Sequence, residues 1–158
     1  MINQTKPAVV FIADSYAQKH LIGGDQDLTT GEWATGMQTI VEKFRRSAEK
    51  VVWLSAPPPD KNIAECYGKR SSAPADCISE VQNYWIDMAQ AEQDVAAAVE
   101  GVWVDSRPWF CKDALCPAFV GSTPTKRDTA HLTRAYGEKI TPVIAETLRN
   151  AGVLPATG

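Results

Sequence analysis

Six consecutive apolar residues, Ala8 to Ala13 (AVVFIA), open the patterned part of the chain. Their β-branched content predicts a strand buried on both faces, as in a parallel sheet. It ends at Asp14. Thr29 and Glu32 then form a capping-box pattern, and Trp33, Met37, Ile40, Val41 and Phe44 recur at helical spacing. Val51 to Leu54 (VVWL) reads as a second buried strand, broken by Pro57, Pro58 and Pro59 and followed by a long loop. Asp76 is placed to cap a long helix in which Ile78, Val81, Trp85, Met88, Ala89, Val95 and Val99 keep one apolar face. Gly101 stops it, and Val102 to Val104 (VWV) forms a short strand ending at Asp105. A loop rich in Pro, Cys and Gly runs to Arg127. The last helix is predicted from near Thr129, with Leu132, Tyr136, Ile140, Val143, Ile144 and Leu148 on one face and Pro142 as a bend.

The alternation of strands and helices predicts an α/β fold: a three-layer α/β/α sandwich, flavodoxin-like, around a central parallel sheet with right-handed crossovers. No repeat or linker divides it, so residues 1–158 read as a single domain with an ordered core of about 8–151. In such a sheet the loops leaving the carboxyl ends of the strands share one edge, where ligands bind. That edge would gather Asp14 and Ser15, Pro57 to Asp60, Asp105 to Trp109, and the segment from Asp128 to His131.

Composition excludes more than it assigns. Sixteen basic against 19 acidic residues leave a net charge of −3, which argues against nucleic acid or an anionic membrane surface as partner. At 158 residues the chain buries enough surface to fold without a disulfide scaffold. Its four cysteines nonetheless fall in two close pairs, Cys66 with Cys77 and Cys111 with Cys116, suggesting two local disulfides over zinc or free thiols. Disulfides imply an oxidising compartment. The chain shows no export signal, which fits a domain excised from a longer exported or membrane protein.

A serine hydroxyl needs a neighbouring base, and histidine suits that task. Of the two histidines, His20 has nothing nearby in sequence to orient it, whereas His131 lies three residues after Asp128. A carboxylate there could hold one ring nitrogen while the other faces Ser15. Lys126 and Arg127 read as a solvated face. Trp33, Trp53, Trp85 and Trp103 sit on apolar stripes and read as core. Trp109, in a loop at the predicted edge, and Arg107 beside it are candidate substrate contacts.

The blocks FIADSYA and RDTAHLT resemble the SGNH, or GDSL-like, hydrolase superfamily, whose first block is a strand followed by G-D-S and whose last is D-x-x-H. The Pro-rich loop, the paired cysteines and C-P before D-x-x-H-L-T resemble more closely the extracytoplasmic SGNH domains fused to type-3 family membrane acyltransferases. The resemblance runs from about Ala8 to Leu148. It implies Ser15 as nucleophile, His131 as general base, Asp128 as its orienting carboxylate and Asp14 as the structural acid of the first block. It further implies an acyl donor supplied by a membrane acyltransferase domain, a cell-envelope glycan as acceptor, an extracytoplasmic home, and no metal or organic cofactor. The reaction would be O-acyl (acetyl) transfer, with ester hydrolysis or glycan and partner binding by a degenerate domain as alternatives.

Two positions depart from the pattern. Ala13 stands where the superfamily has Gly, and LSAPPPDKN after the second strand contains no G-x-N-D block with its oxyanion asparagine. Loss of one oxyanion donor costs an enzyme on the order of 3 kcal/mol. The Ser15 N–H and that of Gly31, at a helix start, are the candidate donors, with Gly24 and Gly36 as alternatives to the latter.

Overall fold

The computed structural model describes residues 1–156. Its elements run α1 (Ile2–Thr5), β1 (Val9–Ala13), α2 (Thr30–Glu42), β2 (Lys50–Leu54) and α3 (Ile63–Cys66). They continue with β3 (Ile78–Glu80), α4 (Asn83–Ala98) and β4 (Val102–Val104). Three short strands, β5 (Leu115–Pro117), β6 (Phe119–Val120) and β7 (Thr123–Pro124), precede α5 (Arg134–Asn150). No helix among the described residues is long and apolar enough to cross a membrane. The elements group into two compact units.

The first unit takes Met1–Ala56, Tyr84–Asp105 and the tail from Ala151. Its sheet is parallel, in the order β1-β2-β4, with Val10 opposite Val51 and Trp53 opposite Trp103. The central strand is the one hidden on both faces: Val51, Val52 and Trp53 are all buried. β1, expected to be buried on both faces, lies at an edge of the sheet, and Phe11 is 49 % exposed. Helices α2 and α4 bring Trp33, Val41, Met88, Val95 and Ala96 against Val51 and Trp53 to form the core. The capping box is present, with Thr29 Oγ1 accepting the Glu32 N–H and the Glu32 carboxylate accepting the Thr29 N–H.

Helix α4 ends in a Schellman arrangement: Gly101 N–H donates to Ala96 C=O (2.8 Å) and Glu100 N–H to Ala97 C=O (3.2 Å). Glu100, not Gly101, occupies the left-handed conformation (φ 53°). Glycine is needed at 101 for space, because a Cβ there would lie 2.6 Å from Trp53 Cζ3 and 3.0 Å from Val51 O.

The second unit takes Pro57–Asn83 and Ser106–Asn150. Two disulfides, Cys66–Cys77 and Cys111–Cys116, staple it. β3 pairs antiparallel with β5, placing Ser79 opposite Cys116, and β6 and β7 form a hairpin. This pairing corrects the helix predicted from Asp76. Ile78–Glu80 is recruited as a strand, Val81 N–H donates to Ala114 C=O, and α4 begins only at Asn83. Asp76 instead caps the short turn Pro74–Cys77 by accepting the Ala73 N–H (2.8 Å). The last helix also starts later than expected, at Arg134, because Thr133 is its cap and accepts the Tyr136 N–H.

A buried ion pair lies inside this unit. Lys126 Nζ is 2.8 Å from Asp60 Oδ2, with both side chains at most 2 % exposed. Thr125 Oγ1–H donates to the same oxygen (2.9 Å), the Lys126 ammonium sits 4.8 Å over the Phe110 ring, and Asp60 N–H donates to Thr129 C=O (2.9 Å). Lys126 is therefore not part of a solvated face, while Arg127 is exposed as expected. Burial pushes the Lys126 ammonium below its ordinary pKa, and Asp60 opposes that shift.

Two stability measurements test these packings. Gly101→Ala should lower the urea unfolding free energy by about 1–3 kcal/mol, because the buried Trp53 ring cannot move aside; an unchanged midpoint would refute the close approach. Lys126→Met should cost about 3–5 kcal/mol by leaving the Asp60 carboxylate without its cation, and adding Asp60→Asn should recover part of that loss. A single-variant cost under about 1 kcal/mol, the range of exposed pairs, would show that the pair is solvated.

Candidate active-site segments

The carboxyl end of β1 delivers Asp14, Ser15 and Tyr16 in succession. Asp14 Oδ1 accepts the Ser15 backbone N–H (2.8 Å) and Lys19 Nζ–H (2.7 Å), and Asp14 Oδ2 accepts Trp33 Nε1–H (3.2 Å). The carboxylate thus ties the strand end to α2. Ser15 itself is exposed. Its N–H, expected as an oxyanion donor, is committed to Asp14 in this structure and would have to leave it to serve that role. Gly31 lies in the first turn of α2, and a Cβ there would meet nothing within 4 Å, so its surroundings are open.

Tyr16 is held from the other side. Its hydroxyl donates to Glu92 Oε2 (2.5 Å), which also accepts Trp103 Nε1–H (2.9 Å), and its ring lies 5.5 Å from that of Trp85. Glu92 is fully buried, and Oε1 has no hydrogen-bond partner. Burial raises the Glu92 carboxyl above its ordinary pKa, against the lowering effect of the two donors. It raises the Tyr16 phenol as well, reinforced by the adjacent carboxylate. Nothing in the sequence patterning had singled out Glu92, since an acid on the apolar stripe of a helix reads as an interruption.

His20 corrects an expectation. Asp27 does orient it, with Nδ1 and Oδ1 2.9 Å apart and side chains 53 % and 60 % exposed. The sequence signal was hidden because the pair is seven residues apart across a turn of the chain.

In the second unit Asp128 and His131 are brought together. His131 Nδ1 lies 2.8 Å from Asp128 Oδ2, while Asp128 Oδ1 accepts the N–H groups of Ala130 (2.9 Å) and His131 (2.7 Å). The segment lies in a loop ahead of α5 and not at its first turn. Arg127 N–H donating to His131 C=O and Thr133 N–H donating to Thr125 C=O close this loop, and the Asp60 N–H holds Thr129 within it. The two backbone donors, above all that of His131, hold the Asp128 carboxyl far below the usual carboxylate range. An ionised carboxylate only accepts, so Nδ1 carries the proton facing it and Nε2 is the basic nitrogen of neutral His131.

The two candidate substrate contacts fare differently. Trp109 is 7 % exposed; its Nε1–H donates to Thr147 Oγ1 (3.2 Å) and its carbonyl accepts the Tyr136 hydroxyl (2.6 Å). It thereby joins the turn Arg107–Trp109 to α5. Arg107 is half-buried at the start of the turn Arg107–Trp109, where its carbonyl accepts the N–H groups of Phe110 and Cys111.

No curated protein matches the chain in sequence. The periplasmic domain of a lipopolysaccharide acetyltransferase from Salmonella ser. Paratyphi A superposes on 91 % of the chain and 59 % of its own length, with TM-score 0.61 and 15 % identity. An acetylxylan esterase from Geobacillus stearothermophilus, solved as a catalytic mutant, covers 98 % of the chain and 64 % of its own at TM-score 0.57 and 13 % identity. A lipase/acylhydrolase from Enterococcus faecalis covers 95 % and 64 % at TM-score 0.52 and 16 % identity. The chain therefore spans less than two thirds of each of these structures, and at such identities the likeness is one of fold: α/β with a parallel central sheet. The sequence model of the SGNH domain (fused to AT3 domains) matches residues 1–146. With all but the last residues of the chain matched, this protein belongs to the family of SGNH domains fused to AT3 domains.

Proposed function

We propose that this domain carries an acyl group on Ser15 and passes it to a hydroxyl of an envelope saccharide, with His131 as base and Asp128 as its orienting carboxylate. The observation that carries the reading is the locked Asp128–His131 pair. A carboxylate fixed by two backbone N–H groups holds Nδ1–H and leaves Nε2 to take a proton. In the first step His131 Nε2 accepts the Ser15 hydroxyl proton, Oγ bonds to the donor carbonyl, and the donor's leaving oxygen departs with that proton. In the second step His131 takes a proton from the acceptor hydroxyl, whose oxygen attacks the acyl carbonyl, and Ser15 Oγ leaves with the proton. A sugar hydroxyl as acceptor gives transfer, and water gives hydrolysis.

The acetyltransferase neighbour supports transfer, and the esterase neighbour supports hydrolysis. Fusion to AT3 domains in the family supports a membrane part as the source of acyl groups. A periplasmic neighbour and two disulfides support an extracytoplasmic location for a single domain of a longer protein. One observation favours a second reading, binding without turnover: the Ser15 N–H is occupied by Asp14, and no G-x-N-D block supplies another oxyanion donor.

Intact-mass spectrometry after exposure to an activated acetyl ester separates these readings. The native chain should gain one acetyl group, carried on Ser15. Ser15→Ala and His131→Ala should gain none at that position, and Asp128→Asn should acylate at least about 10³-fold more slowly. His20→Ala should acylate at the native rate. Acylation surviving His131→Ala but lost in His20→Ala would transfer the base to the other pair. Folded native chain that never acylates would favour the binding domain. Once acylation is seen, release of free acid with every added saccharide would make the domain an esterase.

A further inference from the structure

We propose that Glu92 is a positioning residue for Ser15, acting through Tyr16. The proposal rests on the reading of Ser15 as nucleophile and extends it to a residue outside the triad. Ser15 has no side-chain anchor of its own in this structure, and the two residues flanking it are both tied down. Asp14 is fixed by Lys19 and Trp33, and Tyr16 is fixed by Glu92 and Trp85. Trp85 and Glu92 are seven residues apart on α4 and so lie on one face, two turns from each other. One face of a single helix therefore grips the Tyr16 ring and its hydroxyl.

Stability alone does not account for an acid at this position. The buried Glu92 bears the desolvation cost of a carboxylate, and its Oε1 has no donor. What the carboxylate provides is an acceptor that takes two donors on one oxygen: the Tyr16 hydroxyl from the end of β1 and Trp103 Nε1–H from β4. That geometry fixes Tyr16 relative to two rigid elements, and Ser15 is the next residue along the backbone. Catalytic groups lose rate steeply when displaced by about an ångström, so a support of this kind acts on the rate of acylation and not on ground-state binding.

The test combines acylation kinetics with hydrogen exchange on Tyr16→Phe, Glu92→Leu, their double variant and Glu92→Gln. Tyr16→Phe and Glu92→Leu should each slow acylation at Ser15 by about 10- to 100-fold, with KM for the ester changed by less than about threefold. The double variant should be no slower than the slower single one, because both remove the same link. Glu92→Gln keeps an oxygen that accepts both donors and should stay within about threefold of native. Tyr16→Phe loses one hydroxyl and keeps its ring, so it carries the test if Glu92→Leu does not fold. Native acylation rates in folded Tyr16→Phe, or fully additive losses in the double variant, would overturn the proposal. If the native chain does not acylate at Ser15, the reading of the nucleophile fails, and exchange still decides this inference. Faster exchange of the Ser15 and Tyr16 amides in Tyr16→Phe, with β2 amides unchanged, would support it. Unchanged exchange there would overturn it.

Discussion

Taking a carboxylate out of water costs several kcal/mol unless donors replace the lost hydration. Among the described residues each unit accepts that cost once. In the first, Glu92 draws together Tyr16 and Trp103. In the second, Asp60 draws together Thr125 and Lys126, with the ammonium over Phe110. The consequence is geometric. A buried acid satisfied by residues far apart in sequence can only be satisfied in one arrangement of the backbones that carry them, so each cluster fixes a short irregular segment that no helix or strand would hold. Those segments are the one running from Asp14 to Tyr16 and the one running from Thr125 to His131. Loops are ordinarily the most mobile parts of a fold, and a buried polar cluster behind each of these segments is one physical means of removing that mobility.

The parallel sheet and its two packing helices were legible in the sequence because their signals are local. AVVFIA and VVWL are unbroken apolar runs, and the capping box at Thr29 and Glu32 marks the start of α2 by hydrogen-bond chemistry alone. In the disulfide-bearing region the two cysteine pairs were legible from their spacing and the strand pairing was not. Ile78 and Val81 are in phase with Trp85 and Met88, and a pattern reader extends the helix through them. Antiparallel pairing of Ile78–Glu80 with Leu115–Pro117 outweighs that local preference. The Asp128–His131 pair could be read from its spacing, whereas its true setting could not. Thr133 caps α5 and leaves the pair in a loop whose closure depends on the distant Asp60. Lys126 was misread for the same reason: its partner lies 66 positions earlier in the chain. The burial of Trp109 was not legible, because a loop position says nothing of the helix it meets, and here Tyr136 and Thr147 of α5 bond to it.

The hydrogen bonds of Asp14 bear on the amide of the residue that follows it. An Asp that accepts the N–H of the following serine holds that amide in place, and the same carboxylate is drawn toward α2 by the indole of Trp33 and toward the loop by Lys19. An oxyanion forming near Ser15 would compete with Asp14 for the amide, and the competition need not be lost. Lys19 and Trp33 continue to satisfy the carboxylate when the Ser15 N–H turns away, so the cost of releasing it is that of one hydrogen bond, about 1.5–3 kcal/mol with a charged acceptor. The developing charge of a tetrahedral intermediate exceeds that of a ground-state ester carbonyl, and such an amide would therefore favour the intermediate over the substrate. In that arrangement Asp14 acts as a placeholder for the oxyanion.

The chain contains two histidine–aspartate pairs, and proximity alone does not distinguish them. His20 with Asp27 and His131 with Asp128 have similar separations, and both are substantially exposed. Solvent screening leaves little attraction in an exposed pair, so proximity of the two side chains does not by itself hold either ring in place. What differs is the carboxylate. Asp128 is fastened by the N–H groups of Ala130 and His131 before it meets the imidazole, and those backbone bonds do not depend on the protonation of the ring. The carboxylate therefore keeps its position in either protonation state of the ring, as the proposed role of His131 as base requires. A general base works by having its geometry assembled before the proton moves, and of the two pairs the one in the D-x-x-H loop meets that condition.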